Sequence, residues 1–125
     1  MSINKKVLII DDDVTLLEMY VERLRLEGFE VLSAFNGEEG IKLATELKPH
    51  IILLDIMMPK MDGFQTIEKL KADEATRSIP VIFLTALIQD ATRDKGVRAG
   101  ATDFIVKSET MPGEVIAKIK KVIGE

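Results

Sequence analysis

Asp11-Asp12-Asp13, Asp55, Thr85 and Lys107 each follow a short apolar run: Val7-Leu8-Ile9-Ile10, Ile51-Ile52-Leu53-Leu54, Val81-Ile82-Phe83-Leu84 and Phe104-Ile105-Val106. Carboxylates, a hydroxyl and an ammonium gathered from such positions would suit a divalent cation and a phosphoryl group. Clustered carboxylates repel one another and raise each other's pKa, a conflict that a bound cation resolves. Mg²⁺ fits best, because it takes hard oxygen ligands and is held by one or two carboxylates plus waters and phosphate oxygens. Ligands for a transition metal are missing, with no cysteine and only His50, which is read as structural. A carboxylate beside Mg²⁺ can attack phosphorus and form an acyl phosphate. Lys107 could neutralise one phosphoryl oxygen and Thr85 could donate a hydrogen bond to another, which is the positioning that phosphoryl transfer needs.

These residues converge only if the runs are neighbouring strands. Short apolar runs alternating with helical stretches predict a parallel sheet buried on both faces. All carboxyl ends then lie on one edge, where ligands bind. Strands are expected near Lys6–Ile10, Phe29–Ala34, Ile51–Leu54, Val81–Leu84 and Phe104–Val106. The first helix, from about Val14 to Glu27, shows Leu16, Leu17, Tyr20, Val21 and Leu24 on one stripe, with Asp13 as its N-cap and Gly28 ending it. The second carries Ile41, Ala44 and Leu47 and stops before Lys48-Pro49. The third shows Phe64, Ile67 and Leu70, and the fifth Val115, Ile116, Ile119, Val122 and Ile123. The fourth, over 87–99, is weak, with Leu87, Ile88, Ala91 and Val97 in a thin stripe and Gly96 inside it. Five βα units with right-handed crossovers give an α/β sandwich, doubly wound, with helices on both faces. The first βα turn is acidic rather than glycine-rich, which argues against dinucleotide or P-loop nucleotide binding.

At 125 residues the chain is expected to form a single domain over 1–125, and 46% hydrophobic with 30% charged residues is ordinary globular composition. A net charge of −4 argues against direct nucleic-acid binding. Lys118, Lys120 and Lys121 form a local basic patch, read as a solvated helix face. No apolar run is long enough to span a membrane, and the start lacks a secretory h-region, so a cytoplasmic location is expected.

The combined motifs resemble the receiver domain of two-component response regulators over essentially the whole length. They are Ile10-Asp11-Asp12, Leu54-Asp55-Ile56-Met57-Met58-Pro59 with Asp62-Gly63, Leu84-Thr85-Ala86, and Ala99-Gly100-Ala101 before Asp103-Phe104-Ile105-Val106-Lys107. With no effector segment after them, the chain is similar to the stand-alone, chemotaxis-type receivers. The resemblance implies a flavodoxin-like five-stranded parallel sheet of order 2-1-3-4-5. It implies that Asp55 accepts a phosphoryl group from a phosphohistidine on a histidine kinase or phosphotransfer protein. Mg²⁺ would be held by Asp12, Asp55 and the Met57 carbonyl, with Asp11 direct or through water. Thr85 and Lys107 would hold the phosphoryl oxygens. Thr85 and the aromatic at Phe104 would then form the switch, re-setting the surface from the fourth to the fifth helix for a downstream protein or for dimerisation. Such a domain is a phosphoacceptor that assists its own phosphorylation and dephosphorylation, not a turnover enzyme. The chain departs from the family after the lysine, where Ser108 stands in place of the usual proline.

Side chains two residues after Asp55 and Thr85 flank the path of a hydrolytic water in the family. Here they are Met57 and Leu87, neither able to orient water, so slow self-dephosphorylation is expected. Two other classes share parts of this pattern. A haloacid-dehalogenase-type phosphatase would match Asp11-Asp12-Asp13, but needs a further acidic strand end after Lys107. A pseudo-receiver used only for interaction would not need Asp11, Asp12, Asp55, Thr85 and Lys107 together.

Overall fold

The computed structural model describes residues 5–86, 89–107 and 112–124. Strands β1 (Lys6–Ile10), β2 (Glu30–Ala34), β3 (Ile51–Asp55), β4 (Val81–Thr85) and β5 (Asp103–Val106) alternate with helices α1 (Val14–Leu26), α2 (Gly37–Leu47), α3 (Gly63–Ala72), α4 (Asp90–Ala99) and α5 (Pro112–Ile123). The strands form one parallel sheet in the order β2-β1-β3-β4-β5. This is the flavodoxin-like doubly wound fold expected from the strand pattern.

Alternation along each strand divides the core into two layers. Val7, Ile9, Leu53, Ile82, Leu84 and Ile105 pack with α1 and α5 residues such as Tyr20, Leu24, Val115 and Ile119. Leu8, Ile10, Ile52, Leu54, Phe83 and Phe104 pack on the other face with Ala44, Ile67 and Leu70. Each large apolar side chain buried this way contributes about 1.5–3 kcal/mol, so the central strands are the most firmly held part of the molecule.

Caps set where the helices begin. The Asp13 carboxylate accepts from Leu16 N at 3.1 Å, and Asn36 Oδ1 accepts from Glu39 N at 2.8 Å. Asp62 and Gln65 form a reciprocal capping box at α3. Gln89, which precedes α4, makes no side-chain cap.

The fourth helix differs from its sequence pattern. Val97 is 59% exposed, and Gly96 is the buried residue of α4, so the helix meets the sheet through backbone rather than through an apolar stripe. Leu87 and Ile88, expected in that stripe, lie outside the described residues, as does Ser108 of the Lys107–Ser108 peptide. The basic patch on α5 is a largely paired surface: Lys118 lies 3.1 Å from Asp103 and Lys120 3.5 Å from Glu27. His50 is structural, its Nδ1 accepting from Lys6 N at 3.0 Å. Among the described residues no helix is long and apolar enough to cross a membrane.

Candidate functional site

The sheet order places four chemistry-bearing strand ends side by side. Ile10 pairs with Leu54, Asp55 with Leu84, and Thr85 with Val106, so the residues at the ends of β1, β3, β4 and β5 share one edge. Between β1 and β3 the chain order reverses, which opens the crevice where such sheets bind ligands. Main-chain bonds fasten this edge. Ile56 N donates to Leu84 O at 3.0 Å, and Lys107 N donates to Thr85 O at 2.8 Å.

Asp11 is fully buried, while Asp55 and Thr85 are each 3% exposed. Asp12 is exposed at the mouth. Ligand atoms of Asp11, Asp12 and Asp55 lie within 4.8 Å of one another, the spacing a single small cation could bridge. One Asp11 oxygen accepts from Asp13 N at 3.0 Å. The other, Oδ2, sits 2.8 Å from Lys107 Nζ in a close ion pair. Asp55 Oδ1 lies 3.2 Å from the same Nζ and accepts from Met57 N at 3.3 Å. Three carboxylates this close, two of them buried, with one lysine between those two, are the donor set a hard cation requires.

One lysine therefore serves two buried carboxylates, and the charges do not balance. Burial, then the charge of Asp11, push the Asp55 carboxyl up to about 7 against the pull of Lys107. Burial acts against the Lys107 ammonium too. Its contacts with Asp11 and Asp55 outweigh that, and its pKa is raised.

The structure brings together every strand-end residue the sequence singled out: Asp11, Asp12, Asp55, Thr85 and Lys107. Asp13 is a helix cap at the rim. The Met57 side chain points into solvent, 73% exposed. Phe104 is buried on β5, 6% exposed, against Phe83 with ring centroids 5.8 Å apart.

Two contributors were not legible as site residues. Tyr20 was read as core, yet its phenol is pushed up by burial, with Lys107 pulling down and Asp11 pushing up, so it lies in the electrostatic field of the site. Gly63 N donates to Ile56 O at 2.8 Å, and a Cβ on Gly63 would come 2.6 Å from Asp55 O and 2.7 Å from Ile56 Cα. Only glycine lets α3 lie so close to the backbone that carries Asp55. The Asp62-Gly63 pair was visible in the sequence, but its steric reason depends on how α3 docks.

Residues 7–120 match the response regulator receiver domain family, and the chain belongs to that family. Among its relatives is the DNA-binding dual master transcriptional regulator RpaA of Synechocystis sp., 37% identical over 118 residues that cover 94% of this chain and 48% of the relative. Another is the phosphate regulon transcriptional regulatory protein PhoB of Pseudomonas aeruginosa, 36% identical, covering 97% of this chain and 52% of the relative. The chain thus spans about half the length of these relatives. Among solved structures, the chemotaxis protein CheY4 of Vibrio cholerae superposes with a TM-score of 0.91 at 27% identity, covering 96% of this chain and 99% of that one. A putative response regulator from Chloroflexus aurantiacus superposes with a TM-score of 0.91 at 29% identity, covering 98% and 100%.

Proposed function

We propose that this receiver domain is a switch set by phosphorylation of Asp55, with a phosphohistidine on a histidine kinase or histidine phosphotransfer protein as the donor. The observation that carries this reading is the buried Asp11–Lys107–Asp55 cluster, with Lys107 Nζ 2.8 Å and 3.2 Å from the two carboxylates. An Asp55 oxygen would form the new O–P bond as the donor's N–P bond breaks and the imidazole leaves with the electron pair. Lys107 sits where it can follow the negative charge onto a phosphoryl oxygen, and Thr85 closes the same edge. Asp11, Asp12, Asp55 and the Met57 carbonyl would hold Mg²⁺. When bound, the ion neutralises charge on the carboxylates and phosphoryl oxygens.

The domain acts as a phosphoacceptor over 1–125, in the cytoplasm. Its output passes through α4, β5 and α5 to a protein partner or a second copy, with no nucleic acid touched by the domain itself. Regulators such as RpaA and PhoB are about twice as long, so in a longer protein the same face would act on an attached output domain. As a free-standing receiver of chemotaxis type it would act on a separate partner. The exposed, apolar Met57 supports a slow loss of the phosphoryl group, and replacing Met57 with Glu should speed that loss.

The test is intact mass after incubation with Mg²⁺ and acetyl phosphate, beside an Asp55→Asn control. Gain of one phosphoryl group by the native chain alone is expected. A native chain that stays unmodified with both acetyl phosphate and a phosphohistidine donor would refute the assignment.

A further inference from the structure

Gly96 is buried against the rings of Phe104 and Phe83, and Phe64 stands edge-on to Phe83 beyond them. Its backbone is helical, so no left-handed conformation calls for glycine there. Space does. A Cβ at position 96 would lie 2.5 Å from Phe104 Cζ, 2.8 Å from Phe104 Cε2 and 3.2 Å from Phe83 Cδ2. The first two distances are too short for carbon atoms, and an aromatic ring wedged against a second ring has little room to give way. The buried Phe104 ring and a methyl group at position 96 therefore exclude one another.

Two cations hold the helix on the same rings. Arg93 lies over Phe104, 5.3 Å from its centroid, and Lys95 over Phe64 at 4.3 Å. These contacts flank Gly96 on α4, which has no side-chain N-cap and exposes Val97. Ala99, partly buried at the end of α4, adds an apolar contact with the same core layer.

We propose that Gly96 is a positioning residue of the switch: the missing side chain lets α4 seat directly on the inward ring of Phe104, so ring position and helix seating are one coupled event. If the ring leaves, Gly96 faces a void, Arg93 loses its aromatic partner, and α4 loosens. The coupling belongs to the packing and needs no phosphoryl group. Its use as an output rests on the Asp55 assignment above.

The experiment is hydrogen exchange of the α4 amides, without phosphodonor, in the native chain, Gly96→Ala, Phe104→Ala and the double variant. Alanine at an open helical position would slow exchange about fivefold, because it is the better helix former. Here Gly96→Ala should instead speed it about tenfold or more while Phe104 is present. In the Phe104→Ala background the same change should leave exchange unaltered or slower.

Slower exchange in Gly96→Ala with Phe104 in place, or the same factor in both backgrounds, would overturn the proposal. Should Gly96→Ala not fold while the double variant does, the exclusion is established by that rescue. Failure of both alike would refute it. Phosphorylation of the native chain, followed separately by intact mass, judges Asp55 and leaves the exchange result to judge Gly96.

Discussion

Replacing Asp55 with Asn should make the protein more stable above neutral pH, and the size of the gain follows from the charge imbalance of the site. The carboxyl rises from an ordinary 3.8 to about 7, chiefly through burial and then through Asp11. Over that interval the folded state binds more protons than the unfolded one. Stability contributed at this position is therefore present below about pH 4, falls as pH rises, and is fully lost above about 7. The whole shift corresponds to roughly 4 kcal/mol. Solvent at the cleft mouth screens the charges, and an Asn amide must itself be desolvated. Roughly half, about 2 kcal/mol, is the expected gain. For a chain of this size that is about 5–10 °C in Tm. Urea denaturation of both proteins in EDTA at pH 5, 6, 7 and 8 measures it directly. The difference should be roughly two-fifths of its final size at pH 5, grow through pH 6 and 7, and level off by pH 8. Adding Mg²⁺ should then stabilise the native chain by about 1.4 kcal/mol at ten times its Kd, and Asp55→Asn by less. A difference that does not vary with pH, or an Asp55→Asn protein less stable at pH 8, would refute the reasoning.

Lys107→Met should cost about 2–4 kcal/mol at pH 8 in EDTA, since it leaves Asp11 and Asp55 as uncompensated buried carboxylates; part of the loss should return on adding Mg²⁺, as read by denaturant titration. Gly63→Ala should destabilise by about 1–3 kcal/mol and weaken Mg²⁺ binding in a calorimetric titration, because its Cβ would press on the backbone of Asp55 and Ile56. Asp13→Ala should lose about 1 kcal/mol from an unmade α1 cap while Asp55 is still phosphorylated to the native extent, which separates a capping role from a ligand role.

The site was legible in the sequence because parallel strands send their carboxyl-end residues to one edge, whichever order the strands take. Asp11, Asp55, Thr85 and Lys107 could be read off the ends of apolar runs. The start of α1 was legible for the same local reason, since Asp13 carries its own capping oxygen. What stayed hidden depends on contacts between elements distant in the chain. Val97 was assigned to a buried stripe by its spacing, yet it faces solvent because α4 is docked on Gly96. A glycine leaves no mark in a hydrophobic periodicity, so a helix seated on bare backbone reads as a weak helix. Tyr20 reads as one more apolar position on α1, because nothing local shows that Lys107 and Asp11 lie near its ring.

Where a charge added at Asp55 can act is decided by what each neighbouring element would lose by moving. Under the proposed assignment, phosphorylation would bring about −1.5 to −2 charges to a cluster in which Lys107 is already divided between two carboxylates. The strand edge cannot yield cheaply, because β3 and β4 are buried along their whole length. Moving α1 would expose Leu17, Tyr20 and Leu24 and strain the Asp13 cap, and α3 would lose Ile67, Leu70 and its capping box. At about 1.5–3 kcal/mol for each large side chain and about 1 kcal/mol for a cap, displacing α1 or α3 would cost several kcal/mol. Helix α4 has no side-chain N-cap to break, and it buries Gly96 fully and Ala99 in part; its bonds to the rings are two cation–π contacts, each about 0.5–1 kcal/mol when exposed. Of α1, α3 and α4, a shift at Lys107 and Thr85 would therefore pass most cheaply into α4, through Phe104 on β5, the strand that leads into Lys107.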